Sequence, residues 1–227
     1  MDKGGSRRTG ASAERRFLLD RIPDEDPDLR SGRSYADRVL DAWADMRWST
    51  RSLIESRPSE GRLLFLALLS DVIFFLSRSL SLVVAPPAEI GARLPDYVGF
   101  GIVLAFLVRT SFFYVAAAAA VIVSRPFGGR GSWYETRCAV FWAAFVSAPV
   151  EALGAAVTGV AVWAGMAEGW LAETPYFLGP IAFGFFLSAG VAEAQGFRYT
   201  YRVMAVTAVL VVGLAAGALL LAGMQGA

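Results

Sequence analysis

Residues 63–85 read LLFLALLSDVIFFLSRSLSLVVA, and only Asp71 and Arg78 in that stretch are charged. The run is apolar on every side and longer than the roughly 20 residues a helix needs to cross a hydrocarbon core of about 30 Å. An outer-membrane strand would alternate apolar and polar residues, and this stretch does not. In lipid every backbone amide must be satisfied within the segment, so the run reads as a transmembrane helix.

Working outward, four further runs have the same character. They cover about 97–123, 138–163, 175–194 and 203–223, punctuated by Pro86-Pro87 and by Ser124-Arg125-Pro126. The fold class expected is therefore an all-α, polytopic bundle of about five transmembrane helices. The bulk composition agrees: 56% of residues are hydrophobic and 18% charged, against roughly 25% charged in a soluble domain. Mean hydropathy is +0.50.

Ahead of the first span the chain divides in two. Residues 1–34 mix Gly, Ser, Arg and Asp with few aromatic or β-branched residues, a composition that favours a disordered tail over a packed one. No apolar h-region follows the early charges, so no signal peptide is read there. Residues 35–57 place Val39, Leu40, Trp43, Met46, Leu53 and Ile54 at helical spacing among charges of both signs. That pattern predicts one cytoplasmic amphipathic helix, with Ser34 as N-cap, Asp37 three residues on, and Trp43 and Trp48 suited to an interface. Pro58 and Glu60 then suit the first turn of the next helix, and residues 58–227 form the membrane domain.

Orientation follows the arginines. Arg38, Arg47, Arg51, Arg57 and Arg62 precede the first span; Arg125, Arg130 and Arg137 lie between the second and third; Arg198 and Arg202 lie between the fourth and fifth. The other loops carry Arg93 against Glu89, Asp96, Glu168 and Glu173. The expectation is a bacterial inner-membrane protein with a cytoplasmic N-terminus and a periplasmic C-terminus.

Much chemistry is excluded by composition. The chain has no histidine and one cysteine, Cys138, so a Ser/His/Asp triad, a His/Cys zinc site and an internal disulfide cannot be built. A net charge of +1 gives no nucleic-acid signature. No cofactor, metal site or catalytic constellation is read, and the chain is expected not to be an enzyme.

Four charges fall inside spans: Asp71, Arg78, Arg109 and Glu151. Each costs about 2–3 kcal/mol at mid-bilayer even on lenient scales, so each needs a partner or water. Asp71 and Arg78 share a helix face but lie about 10 Å apart along it. Pairs between helices are therefore expected, Asp71–Arg109 first and Arg78–Glu151 second. They serve either to fix helix register or to relay ions or protons. Gly213 and Gly217 form a small-xxx-small face in the last span, for packing within the bundle or against a second copy.

The most distinctive loop is RPFGGRGSWYETR, residues 125–137. Gly128, Gly129 and Gly131 allow positive φ and backbone nests for an anion, Arg130 adds charge, and Trp133 and Tyr134 suit a headgroup layer. It reads as a cytoplasmic turn, or as a contact for lipid phosphate or a partner. It is not a P-loop, since no Lys-Ser/Thr ending follows.

Residues 128–134, the apolar run through Ser147-Ala148-Pro149, and the tract 58–64 entering a span with Asp71, Phe74 and Phe75 resemble the Ypt-interacting-protein (Yip) domain family as found in alphaproteobacteria. The likeness covers roughly Pro58 onward. It implies a cytosolic N-terminal region, about five membrane helices and a non-enzymatic role in membrane organisation or as a partner of other membrane proteins. The Asp-Leu-x-Gly-Pro motif of eukaryotic relatives, which bind Rab GTPases, is absent here. The partners implied are the lipid bilayer and other membrane proteins or further copies of this chain. The alternative is a small-solute or proton-coupled transporter or channel that uses the four buried charges.

Overall fold

The computed structural model describes residues 34–84, 94–166 and 170–209, the side chains of 94–95 and 170–176 excepted. Residues 1–33, Gly213, Gly217 and most of the expected fifth span lie outside the described residues. Every regular element among those described is helical.

Among the described residues four helices are long and apolar enough to cross a membrane: Glu60–Val84, Asp96–Phe127, Trp133–Trp163 and Phe177–Ala194. They match the first four spans read from hydropathy to within a few residues. Residues 200–209 are also helical. Large apolar side chains such as Leu76, Phe100, Leu107, Val115, Val160 and Ile181 face outward, as lipid-facing positions require.

The segment before them departs from expectation. Residues 35–57 form two helices, α1 (Tyr35–Ala44) and α2 (Met46–Glu55). Ser34 caps α1 in a capping box with Asp37, as read. The break is Asp45, extended at φ −146° and ψ 91°, whose side chain accepts from the Trp48 amide and so starts α2. An aspartate that competes for a local amide in this way favours a cap over a helix interior.

The third helix, α3, spans Glu60–Val84. Pro58 therefore precedes it instead of sitting at its first position. The second membrane helix is composite: α4 (Leu94–Val103), a π-helical turn at Leu104–Arg109, α5 (Thr110–Ser124) and a 3₁₀ turn at Arg125–Phe127. Two more follow, α6 (Trp133–Trp163) and α7 (Trp170–Ala194).

At the centre lies α6. Thr136 and residues 138–148 are buried, because α3, α5 and α7 cover three sides and α1–α2 the remainder. Trp142, fully buried, donates its indole N–H to Ser49 Oγ at 3.0 Å, while Trp43 donates to the Val146 carbonyl at 3.0 Å. Beyond Pro149 the outer half of α6 is only partly covered. The bundle is thus filled at the Trp133 end and looser toward Trp163.

Candidate functional site

The π turn ends on Arg109. One extra residue in a turn breaks the 3.6-residue phase, and such bulges recur at functional sites. Here Arg109 is brought against α3, where Nη1 lies 2.6 Å from Asp71 Oδ1 and 3.0 Å from Ser70 Oγ. The next residue, Thr110, donates its hydroxyl to Asp71 Oδ2 at 2.5 Å. Both carboxylate oxygens of fully buried Asp71 are therefore occupied. The Arg109 guanidinium also lies over the rings of Phe74 and Phe113, 4.7 and 4.9 Å from their centroids, positions that favour a cation.

Arg109 reaches further. Its Nη2 stands 3.6 Å from Glu151 Oε1, an ion-pair distance too long for a hydrogen bond. The other oxygen, Glu151 Oε2, is buried and has no hydrogen-bond partner among the described residues. Glu151 rests directly on Gly179 of α7, where a Cβ would strike the glutamate side chain. The structure thus joins three of the four expected charges, Asp71, Arg109 and Glu151.

The fourth charge, Arg78, shares with Glu151 the wall of a cavity between α3, α6 and α7. Ser77, Ser81, Thr158 and Gly179 also line it. Ser77 and Ser81 lie one turn apart on α3, and Glu151 and Thr158 two turns apart on α6, so each pair shares a face of its helix.

The glycine loop is built differently from an anion nest. Gly128 takes a left-handed φ of 83°. Its amide donates to the Arg125 carbonyl, Gly129 donates to Ser124, and Arg130 donates to the Gln195 carbonyl. Gly131 donates to the side-chain oxygen of buried Gln195, whose NH₂ in turn donates to Thr136 Oγ1. The amides a nest would offer are already used, so the loop is a clasp joining the start of α6 to the end of α7. Glycine is required at 129 and 131 because a Cβ would collide with Ser124 and with the Ala194 carbonyl. Arg130, Phe127 and Trp133 remain exposed at the clasp's outer side.

Ser70, Thr110, Gly179 and Gln195 were not singled out from the sequence. Ser70 and Thr110 each adjoin a buried charge in the chain, which was an available signal. Gly179 and Gln195 carried none, since their roles arise from packing between distant helices. Comparison with family models, with curated proteins and with solved structures gives no match.

Proposed function

We propose that the chain is a non-enzymatic, Yip-like inner-membrane protein that acts in membrane organisation or as an accessory to other membrane proteins. The observation that carries this reading is the filled Trp133 half of the bundle, where α6 is buried under five helices and α1–α2 are locked onto it. A rigid, solidly packed half offers fixed surfaces to a partner, whereas a conduit calls for open space along its length. In this reading the N-terminus and the clasp face the cytoplasm, a fifth span follows near 203–223, and the C-terminus is periplasmic. The arginine bias of the loops supports that orientation.

The test is purification of the tagged full chain from its native membranes in mild detergent, followed by unbiased identification of what accompanies it. A stoichiometric membrane-protein partner, or a stable self-assembly, is expected. Isolation as a lone monomer after crosslinking in intact membranes would overturn the reading.

A second reading, a small-solute or proton-coupled transporter, is favoured by one observation: the cavity holding Arg78 and the unpartnered Glu151 oxygen. Its test is uptake into proteoliposomes, with Glu151→Gln as the control. A flux lost in that variant would move the assignment to transport.

A further inference from the structure

We propose that the cavity between α3, α6 and α7 binds a zwitterion carrying a primary ammonium group and an anionic oxygen group, with the ammonium on Glu151. The site goes beyond the reading above, since a scaffold or a transporter could each hold such a ligand.

The argument starts from hydrogen-bond inventory. Glu151 Oε2 is buried with no donor among the described residues, a costly condition for a carboxylate oxygen. Arg109 does not relieve it. Its short contacts go to Asp71 and Ser70, and toward Glu151 it offers only the 3.6 Å approach to the other oxygen. Thr110 is likewise committed to Asp71.

Two of the three hydroxyls on the same wall add acceptors instead of donors. Ser81 Oγ donates its proton to the Ser77 carbonyl and Thr158 Oγ1 to the Gly154 carbonyl. Each hydroxyl then presents lone pairs. A wall of one carboxylate oxygen and two hydroxyl acceptors calls for a compact group with several N–H donors, which a primary ammonium supplies.

Charge decides the rest of the ligand. Asp71 and Glu151 balance Arg109 and Arg78, so an ammonium alone would leave the buried region with an excess positive charge. An anionic group on the same molecule cancels it. Arg78, on the cavity wall with Glu151, has five N–H donors and can serve that group beside any contact it already makes. Gly179 completes the site by leaving room for the glutamate side chain. The chemistry has two sources: a free zwitterion, or the phosphoethanolamine headgroup of a lipid.

The experiment measures thermal stability and retained ligand for the full chain in detergent. Probes are O-phosphoethanolamine, a short-chain phosphatidylethanolamine, and the corresponding phosphatidylcholine, whose quaternary ammonium has no N–H to donate. The ethanolamine compounds should bind at least about tenfold more tightly than the choline lipid, because a hydrogen bond to a charged group contributes on that order. Binding of O-phosphoethanolamine identifies a free ligand, and binding of the ethanolamine lipid alone identifies a headgroup; either supports the site. Glu151→Gln should abolish the preference, whatever its effect on the melting point of the unliganded protein. Should that variant fail to fold, the amine-over-choline preference of the unaltered protein decides alone. Equal binding of ethanolamine and choline lipids, no binding of either, or an unchanged preference in Glu151→Gln would overturn the proposal.

Discussion

Arg109 Nη1 lies 2.6 Å from Asp71 Oδ1, an ion pair across two helices in which the acid is fully buried and the base almost so. Removing one partner strands a charge in a low-dielectric interior, at a cost of about 3–5 kcal/mol. Asp71→Ala and Arg109→Ala should each lower the thermal midpoint of the detergent-solubilised protein, and the double variant should recover part of the loss. Arg109→Ala should be the worse single change, because it also takes the nearest cation from Glu151. Strict additivity in the double-mutant cycle would show that the two residues do not support each other.

The clasp can be tested through its glycines. Gly131→Ala drives a methyl group into the Ala194 carbonyl, and the backbone there cannot yield without breaking the Gln195 hydrogen bonds. Destabilisation of at least about 1–3 kcal/mol is expected, the range for a disrupted buried hydrogen-bond set. Gly61→Ala is the control: nothing lies within 4 Å of its added Cβ, and alanine in a helix is favoured over glycine by about 0.5–1 kcal/mol. Equal effects of the two on thermal unfolding would remove the steric account.

Docking of the N-terminal pair rests on Arg47 more than on Arg51. Arg47 binds Glu193 Oε2 at 2.9 Å and donates to the carbonyls of Phe197 and Arg198 just beyond α7. Arg51 meets the same carboxylate from a largely exposed position, where solvent screening removes most of its effect. Limited proteolysis between α2 and α3 should accelerate clearly in Arg47→Ala and little in Arg51→Ala. The reverse order would mean that Arg51 carries the contact to Glu193, and no acceleration in either variant would mean that the indole contacts of Trp43 and Trp142 hold the pair without help from the α7 terminus.

Arg130 projects from the clasp without supporting it through its side chain, since its described role is a backbone hydrogen bond to Gln195. Arg130→Ala should therefore leave the melting temperature unchanged while reducing co-sedimentation with vesicles rich in anionic lipid. An unchanged co-sedimentation would restrict the loop to its clasp role. A reporter fused after Phe127 is expected on the cytoplasmic side and one after Ala227 on the opposite side; both on one side would contradict the five-span reading.

Much of this was legible in the sequence. The first four spans declared themselves through length and hydropathy, and Asp71 and Arg109 through opposite charge at similar depth. That Arg109 also reaches Glu151 was not legible, because the π turn resets the phase of the helix just ahead of it, and nothing in LAFLVR announces an extra residue per turn. The amphipathic period of residues 35–57 was clear, but Asp45 looked like one more charge on a solvated face alongside Asp37 and Asp41. Only its neighbour three residues on, Trp48, hints at a second cap. The glycine loop forms a turn, one of the two readings its sequence allowed. The fate of its amides depended on Gln195, 64 residues downstream of Gly131, a separation that no local pattern spans.

The way α1 and α2 are held has a consequence for synthesis. They leave the ribosome before the four described membrane helices, yet the groups that receive them lie far downstream: Val146 is 103 residues beyond Trp43, and Glu193 is 146 beyond Arg47. At translation rates of about 5–20 residues per second, that interval lasts on the order of ten seconds. Over that interval Val39, Ala42 and Leu53, all buried in the finished fold, lack part of the surface that covers them. The N-terminal pair is thus made well ahead of the groups that hold it, a period during which a chaperone or the translocation machinery has these two helices to itself.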